Sequence, residues 1–121
     1  MLQLTLLQTT LHWENAAANL SALEKQLEHI IAPCDIVVLP EMFSSGFTMN
    51  AAKVAEAMDG PTMQWMRRTA IRMNAVVTGS VVIESGGRYY NRLVWMQPDG
   101  NYRCYDKRHL FRLAEIGRAH V

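Results

Sequence analysis

A run of four apolar residues, Ile36-Val37-Val38-Leu39, ends in Pro40 and is followed at once by an acid, Glu41. Three of the four are β-branched, so the run predicts a buried strand over Asp35 to Leu39, which Pro40 stops by removing a backbone donor. The carboxylate therefore stands just beyond the strand's carboxyl end. In open α/β sheets that is where ligands and reactive groups gather. A carboxylate withdrawn from water is costly unless it is paired or hydrogen-bonded, so Glu41 calls for a partner elsewhere in the chain.

The flanking pattern predicts a layered α/β order. Leu2 to Leu7 alternates apolar with polar and reads as a first strand, with Leu2, Leu4 and Leu6 on one face. From Asn15 to Ile31 the spacing changes to steps of three and four (Ala16, Leu20, Leu23, Leu27, Ile30, Ile31), which predicts an amphipathic helix capped by Asn15 and stopped by Pro33. Residues 41–60 read as loop and short helix. Pro61 suits the first turn of a second helix to about Asn74, with Met63, Met66, Ala70 and Met73 as its apolar stripe and Trp65 beside it. A methionine stripe at helical spacing is ordinary core rather than a cofactor box. Three strands follow as a meander, Ala75 to Glu84, Asn91 to Met96 and Tyr102 to Asp106. They are joined by a Ser85-Gly86-Gly87 turn and a Pro98-Asp99-Gly100 turn. The order β-α-β-α-β-β-β predicts a mixed sheet with helices covering one side.

Composition excludes several classes. At 121 residues the chain suffices for one domain, and half of it is hydrophobic, which argues against disorder and fits a soluble globular protein. A net charge of +1 with no basic run makes nucleic acid and anionic membrane poor partners, and no apolar stretch approaches a membrane span. The N-terminus has no basic segment or small-residue cleavage site of a signal peptide. Cys34 and Cys104 show neither metal-ligand spacing nor a disulfide framework, so the expected compartment is a reducing cytoplasm.

The last strand delivers Lys107 where it ends, much as the earlier one delivers Glu41. Each residue alone is unremarkable: glutamate after Leu-Pro is often a first-turn helix residue, and Lys107-Arg108 is usually a solvated face. Together they predict a buried acid–base pair in which the lysine offsets the carboxylate's charge.

Leu39-Pro40-Glu41-Met42-Phe43, Thr78-Gly79-Ser80, Tyr90-Asn91-Arg92 and Tyr105-Asp106-Lys107-Arg108-His109-Leu110-Phe111 resemble, in order and spacing, the carbon–nitrogen hydrolase (nitrilase) superfamily, most of all its bacterial omega-amidase branch. The resemblance covers the chain from the first strand to about Ala114. It implies an α/β fold, part of a four-layer α-β-β-α sandwich. It also implies a Glu-Lys-Cys catalytic triad that uses no metal or cofactor. Glu41 matches the general base that takes the cysteine's proton and later activates water, and Lys107 matches the residue that stabilises the tetrahedral oxyanion. Such chemistry is physically sound, since a thiol gains nucleophilicity from an adjacent base and a cation lowers the cost of the oxyanion.

The nucleophile is the missing member. The family's cysteine lies in a Cys-Tyr-Asp-type motif after a further strand, beyond Val121. Cys34 lies about 20 Å before Glu41 along an extended chain, at the wrong end. Cys104 lies about 10 Å from Lys107, and alternation points it to the opposite face. Both read as small buried hydrophobes. His109 reads as a loop packing residue, since the family triad has no histidine. Asn91 reads as satisfying backbone groups at a strand start. Phe43 and Phe47 beside the acid read as core, with pocket lining as the alternative, and Trp13 as a helix staple or interface residue.

The resemblance sets the functional expectation. The intact protein is expected to be an amidohydrolase acting on the terminal amide of a small 2-oxo acid monoamide, without nucleic-acid or membrane partners and as a homodimer. The alternatives are another nitrilase-superfamily hydrolase, acting on a nitrile, a carbamoyl amine or another amide, and a non-catalytic α/β binding module. Residues 1–114 are expected to be the N-terminal portion of the domain. Residues 115–121 are expected to be a non-native tail, because Glu115 to Val121 is what a common sequencing adapter encodes in this frame. By alignment Ile116 stands where the family carries a second glutamate that steadies the lysine. A truncated sandwich is expected to be inactive, poorly soluble and weakly cooperative in unfolding.

Overall fold

The computed structural model describes residues 1–30 and 32–107. Its elements are β1 (Leu4–Leu6), α1 (Ala16–Glu28), β2 (Ile36–Val38), α2 (Ala51–Val54), α3 (Pro61–Met73), β3 (Val76–Ser85), β4 (Arg88–Met96) and β5 (Tyr102–Lys107). The expected order stands, with most boundaries trimmed by one to three residues and β3 and β5 each ending one residue later than expected. The larger departure is β4, which begins at Arg88 rather than Asn91. Its hairpin turns on Gly86 and Gly87 alone, both with left-handed φ (60° and 78°), so the ladder runs on to Ser85↔Arg88. Ile31 lies outside the described residues.

Local chemistry sets the helix ends. The Asn15 side chain accepts from the Ala18 N–H at 3.1 Å and caps α1. At α3 Pro61 occupies the first turn, and the Glu56 carboxylate accepts from Thr62 N (2.8 Å) and Thr62 Oγ1 (2.5 Å). Asn74 ends that helix in the left-handed region, with φ 49°.

The sheet order is β1-β2-β3-β4-β5, parallel across the first three strands and antiparallel across the last three. Register and alternation divide it into two faces. One carries Val37, Val77, Val81, Ile83, Val94 and Met96, buried in one core with Leu23 and Leu27 of α1 and Met63, Met66 and Ala70 of α3. The methionine stripe is core, as expected, and each such side chain contributes about 1.5–3 kcal/mol on burial. The other face is open over much of its area: Leu4, Leu6 and Tyr105 are more than half exposed. Helices thus cover one side of a mixed sheet.

β3 outruns β2 by seven residues, from Val38↔Thr78 to Ser85. The segment from Glu41 to Glu56 lies along that excess. Its end is stitched to β3 by Glu56 N–H to the Val82 carbonyl (3.0 Å) and Glu84 N–H to the Glu56 carbonyl (2.9 Å). Met42, Ala51 and Val82 form a second small core there.

Candidate active site

Beyond β2 the chain keeps one strand-like bond, Leu39 N–H to the Thr78 carbonyl at 2.8 Å, and then Pro40 turns it away. Met42 adopts a left-handed φ of 50°, a strained conformation for a residue with a Cβ. Its N–H is held by Ser80 Oγ at 2.8 Å, and its carbonyl accepts from Gly46 N (2.9 Å). Phe43 is fully buried, its ring centroid 6.0 Å from that of Trp65. Both residues after Glu41 are therefore pinned, and the acid is left to project over the open face.

Lys107 comes to the same place through register. Val82, Asn91 and Lys107 form one row across β3, β4 and β5 on the open face. Glu41 Oε1 accepts from Lys107 Nζ at 3.3 Å and from Asn91 Nδ2 at 3.2 Å. The structure thus brings the two expected site residues together across 66 positions of sequence. It corrects one expectation. The pair is not buried: the Lys107 and Glu41 side chains are 40% and 48% exposed, because they stand at strand ends on the open face. An ion pair this accessible is worth about 0–1 kcal/mol, so stability is a weak reason for it to be there.

Other expectations fare unevenly. Cys104 shares the helix-covered side with Val94 by register, opposite Lys107, as alternation required. It is not a buried hydrophobe, however. Edge strand β5 leaves it exposed, and Cys34 is only half-buried. Partial desolvation still pushes the Cys104 thiol above its ordinary range, which reduces its nucleophilicity. Phe43 is core as expected, whereas Phe47 and Trp13 are exposed. His109 and the rest of the motif after Lys107, together with the proposed boundary near Ala114, lie outside the described residues. Among the described residues no three His, Cys, Asp or Glu side chains converge as a metal site. No helix among them is long and apolar enough to cross a membrane.

Asn91 is the neighbour of Glu41 that the sequence reading misplaced. It sits inside β4 rather than at its start, fully buried, and its amide reaches Glu41 because the ladder extends to Arg88. The available signal was an asparagine inside a strand, where that residue is disfavoured without a specific bond to make. Ser80 was quoted only as part of a motif, and its hydroxyl turns out to anchor Met42.

A mixed sheet with helices on one side and an acid–lysine pair at the carboxyl ends of two strands defines an α/β protein organised around a carboxylate site. The family model described as Carbon-nitrogen hydrolase matches residues 3–121, and the chain belongs to that family. Its likeness falls in the omega-amidase branch: it is 44% identical over 114 residues to omega-amidase YafV of Escherichia coli (strain K12), covering 94% of this chain and 44% of that protein. It is 28% identical over 96 residues to 2-oxoglutaramate amidase of Bacillus subtilis (strain 168), covering 77% of this chain and 36% of that protein. The crystal structure of XC1258 from Xanthomonas campestris, a CN-hydrolase superfamily protein, superposes with a TM-score of 0.86 at 43% identity, over 93% of this chain and 43% of that one. The sheet and helices are those of a nitrilase-type α-β-β-α sandwich, of which this chain spans less than half the length of these relatives.

Proposed function

We propose that Glu41 and Lys107 are two members of a Glu-Lys-Cys triad in an amidohydrolase of the omega-amidase type, and that the thiol belongs to the part of such enzymes that this chain does not span. The substrate would be the terminal amide of a small 2-oxo dicarboxylic acid monoamide. The observation that carries this reading is the Lys107–Glu41 contact of 3.3 Å at the carboxyl ends of two strands, in a chain related to omega-amidases.

The chemistry follows from those two groups. Glu41 takes the thiol proton, and the thiolate attacks the amide carbonyl carbon. The carbonyl π-electrons move to oxygen, where Lys107 stabilises the oxyanion. When the tetrahedral species collapses, the C–N bond breaks and Glu41 returns the proton to nitrogen, releasing ammonia and leaving a thioester. Glu41 then takes a proton from water as hydroxide adds to the thioester carbon; collapse expels the thiolate, which regains its proton from Glu41, and the new carboxyl group loses its proton to solvent to give the dicarboxylate. Every step uses groups whose charge the Glu41–Lys107 pair supplies, and none calls for a metal or cofactor. The two free cysteines support a reducing compartment such as the cytoplasm, and a homodimer is the assembly that the family resemblance suggests. Residues 115–121 we take to be non-native, on their match to adapter sequence.

With the intact protein from the full-length gene, ammonia release from 2-oxoglutaramate should fall at least about 100-fold in Glu41→Gln and in Lys107→Ala, because each removes a group used in the transition state. Unchanged turnover in either variant refutes the role assigned to it. The codons downstream of residue 114 test the third member, since a cysteine after the next strand is required.

A further inference from the structure

The two carboxylate oxygens of Glu41 are not equivalent. Lys107 Nζ and Asn91 Nδ2 both donate to Oε1, at 3.3 and 3.2 Å, and no donor among the described residues reaches Oε2. We infer that Asn91 is a positioning residue that tethers Oε1 and thereby leaves Oε2 as the oxygen that exchanges the proton. The inference rests on the catalytic reading of Glu41 above and assigns that reading its atom.

The burial of Asn91 argues against a merely structural role. Its side chain is fully buried, and its Oδ1 has no hydrogen-bond partner among the described residues. A buried acceptor left unpaired destabilises the fold, so an apolar side chain of the same shape would serve the core better. Among the described residues, the one hydrogen bond of the Asn91 side chain is to the acid. That bond also sets which way the amide points: an ionised carboxylate only accepts, so Nδ2 must face it and Oδ1 must face away. A carboxylate on a flexible stem, half exposed, would otherwise turn either oxygen to the substrate. A fixed, uncharged donor removes that freedom without placing a second cation beside the acid. Lys107 is the charged group that meets Glu41 here, while the Arg92–Asp106 pair lies on the opposite face of the sheet.

The test uses the intact enzyme and three variants. Glu41→Gln comes first: if it retains turnover, the catalytic reading itself fails, whatever Asn91 does. With Glu41→Gln inactive, Asn91→Leu is expected to keep or raise the thermal midpoint and to lower kcat by about 10- to 100-fold with KM little changed. Asn91→Ser, which retains a small donor, should fall between Asn91→Leu and wild type. Wild-type kcat in Asn91→Leu would overturn the inference. If Asn91→Leu does not fold, Asn91→Ser carries the kcat and KM readouts, and a kcat identical to wild type overturns it equally.

Discussion

Gly79 has no side chain because the acid's neighbours leave no room for one. A Cβ there would stand 2.9 Å from both Leu39 Cβ and Phe43 Cδ1. Its absence lets the Phe43 ring lie directly on β3, two residues from Glu41, while Ser80 fixes Met42 from the next position. Gly79→Ala is expected to cost about 1–3 kcal/mol by overpacking and to displace Phe43. Because Phe43 anchors the turn that carries the acid, turnover of the intact enzyme should fall as well. Lost stability with full turnover would show that the carboxylate is positioned independently of Phe43. Glu41 after Leu-Pro, and Lys107 at the end of β5, were readable in the sequence as candidate site residues. The two polar residues that hold them, Ser80 and Asn91, were not, because a hydrogen bond between strands is invisible until register is known.

Segment 41–56 is an element without regular structure over most of its length, and its order comes from a clasp with residues before α1. Glu14 N–H donates to the Ser45 carbonyl at 2.7 Å, and the Glu14 carboxylate accepts from Lys53 Nζ (2.9 Å) and Thr48 Oγ1 (2.8 Å). Asn19, buried on α1, donates to the Ser44 carbonyl at 2.9 Å and holds both the N–H and the carbonyl of His12. The position of Asn19 within the apolar stripe, between Ala16 and Leu23, was the one hint of this role. The bonds from Lys53 and Thr48 hold the Glu14 carboxyl below its ordinary value near 4.5. A carboxyl depressed in the folded state stabilises the fold above its unfolded pKa and ceases to do so as pH falls through the folded one. Amide exchange in the 44–50 segment should therefore accelerate as pH drops below about 4.5, after correction for intrinsic rates. Glu14→Gln should flatten that dependence, and an unchanged profile in the variant would place the acid sensitivity elsewhere.

At the scale of the molecule, the open sheet face meets β1, an edge strand of the sheet among the described residues. Leu4 and Leu6 are 55% and 65% exposed on an edge strand, an arrangement that favours association through edge pairing and apolar contact. The 121-residue chain is expected to self-associate in sedimentation velocity, and Leu4→Lys with Leu6→Lys to reduce that association markedly. Association unchanged by the two lysines would put the contact on another surface. The sequence by itself determined the order of elements, the helix-side core and the identity of the acid and the lysine. Periodicity, proline and glycine act locally and leave their marks along the chain. Tertiary structure alone decided that Glu41 and Lys107 meet on the open face rather than in the interior, and that Asn91 joins them. Those outcomes depend on how far each strand runs past its neighbour and on which face is left uncovered. Both are properties of packing between distant segments, which no local pattern encodes.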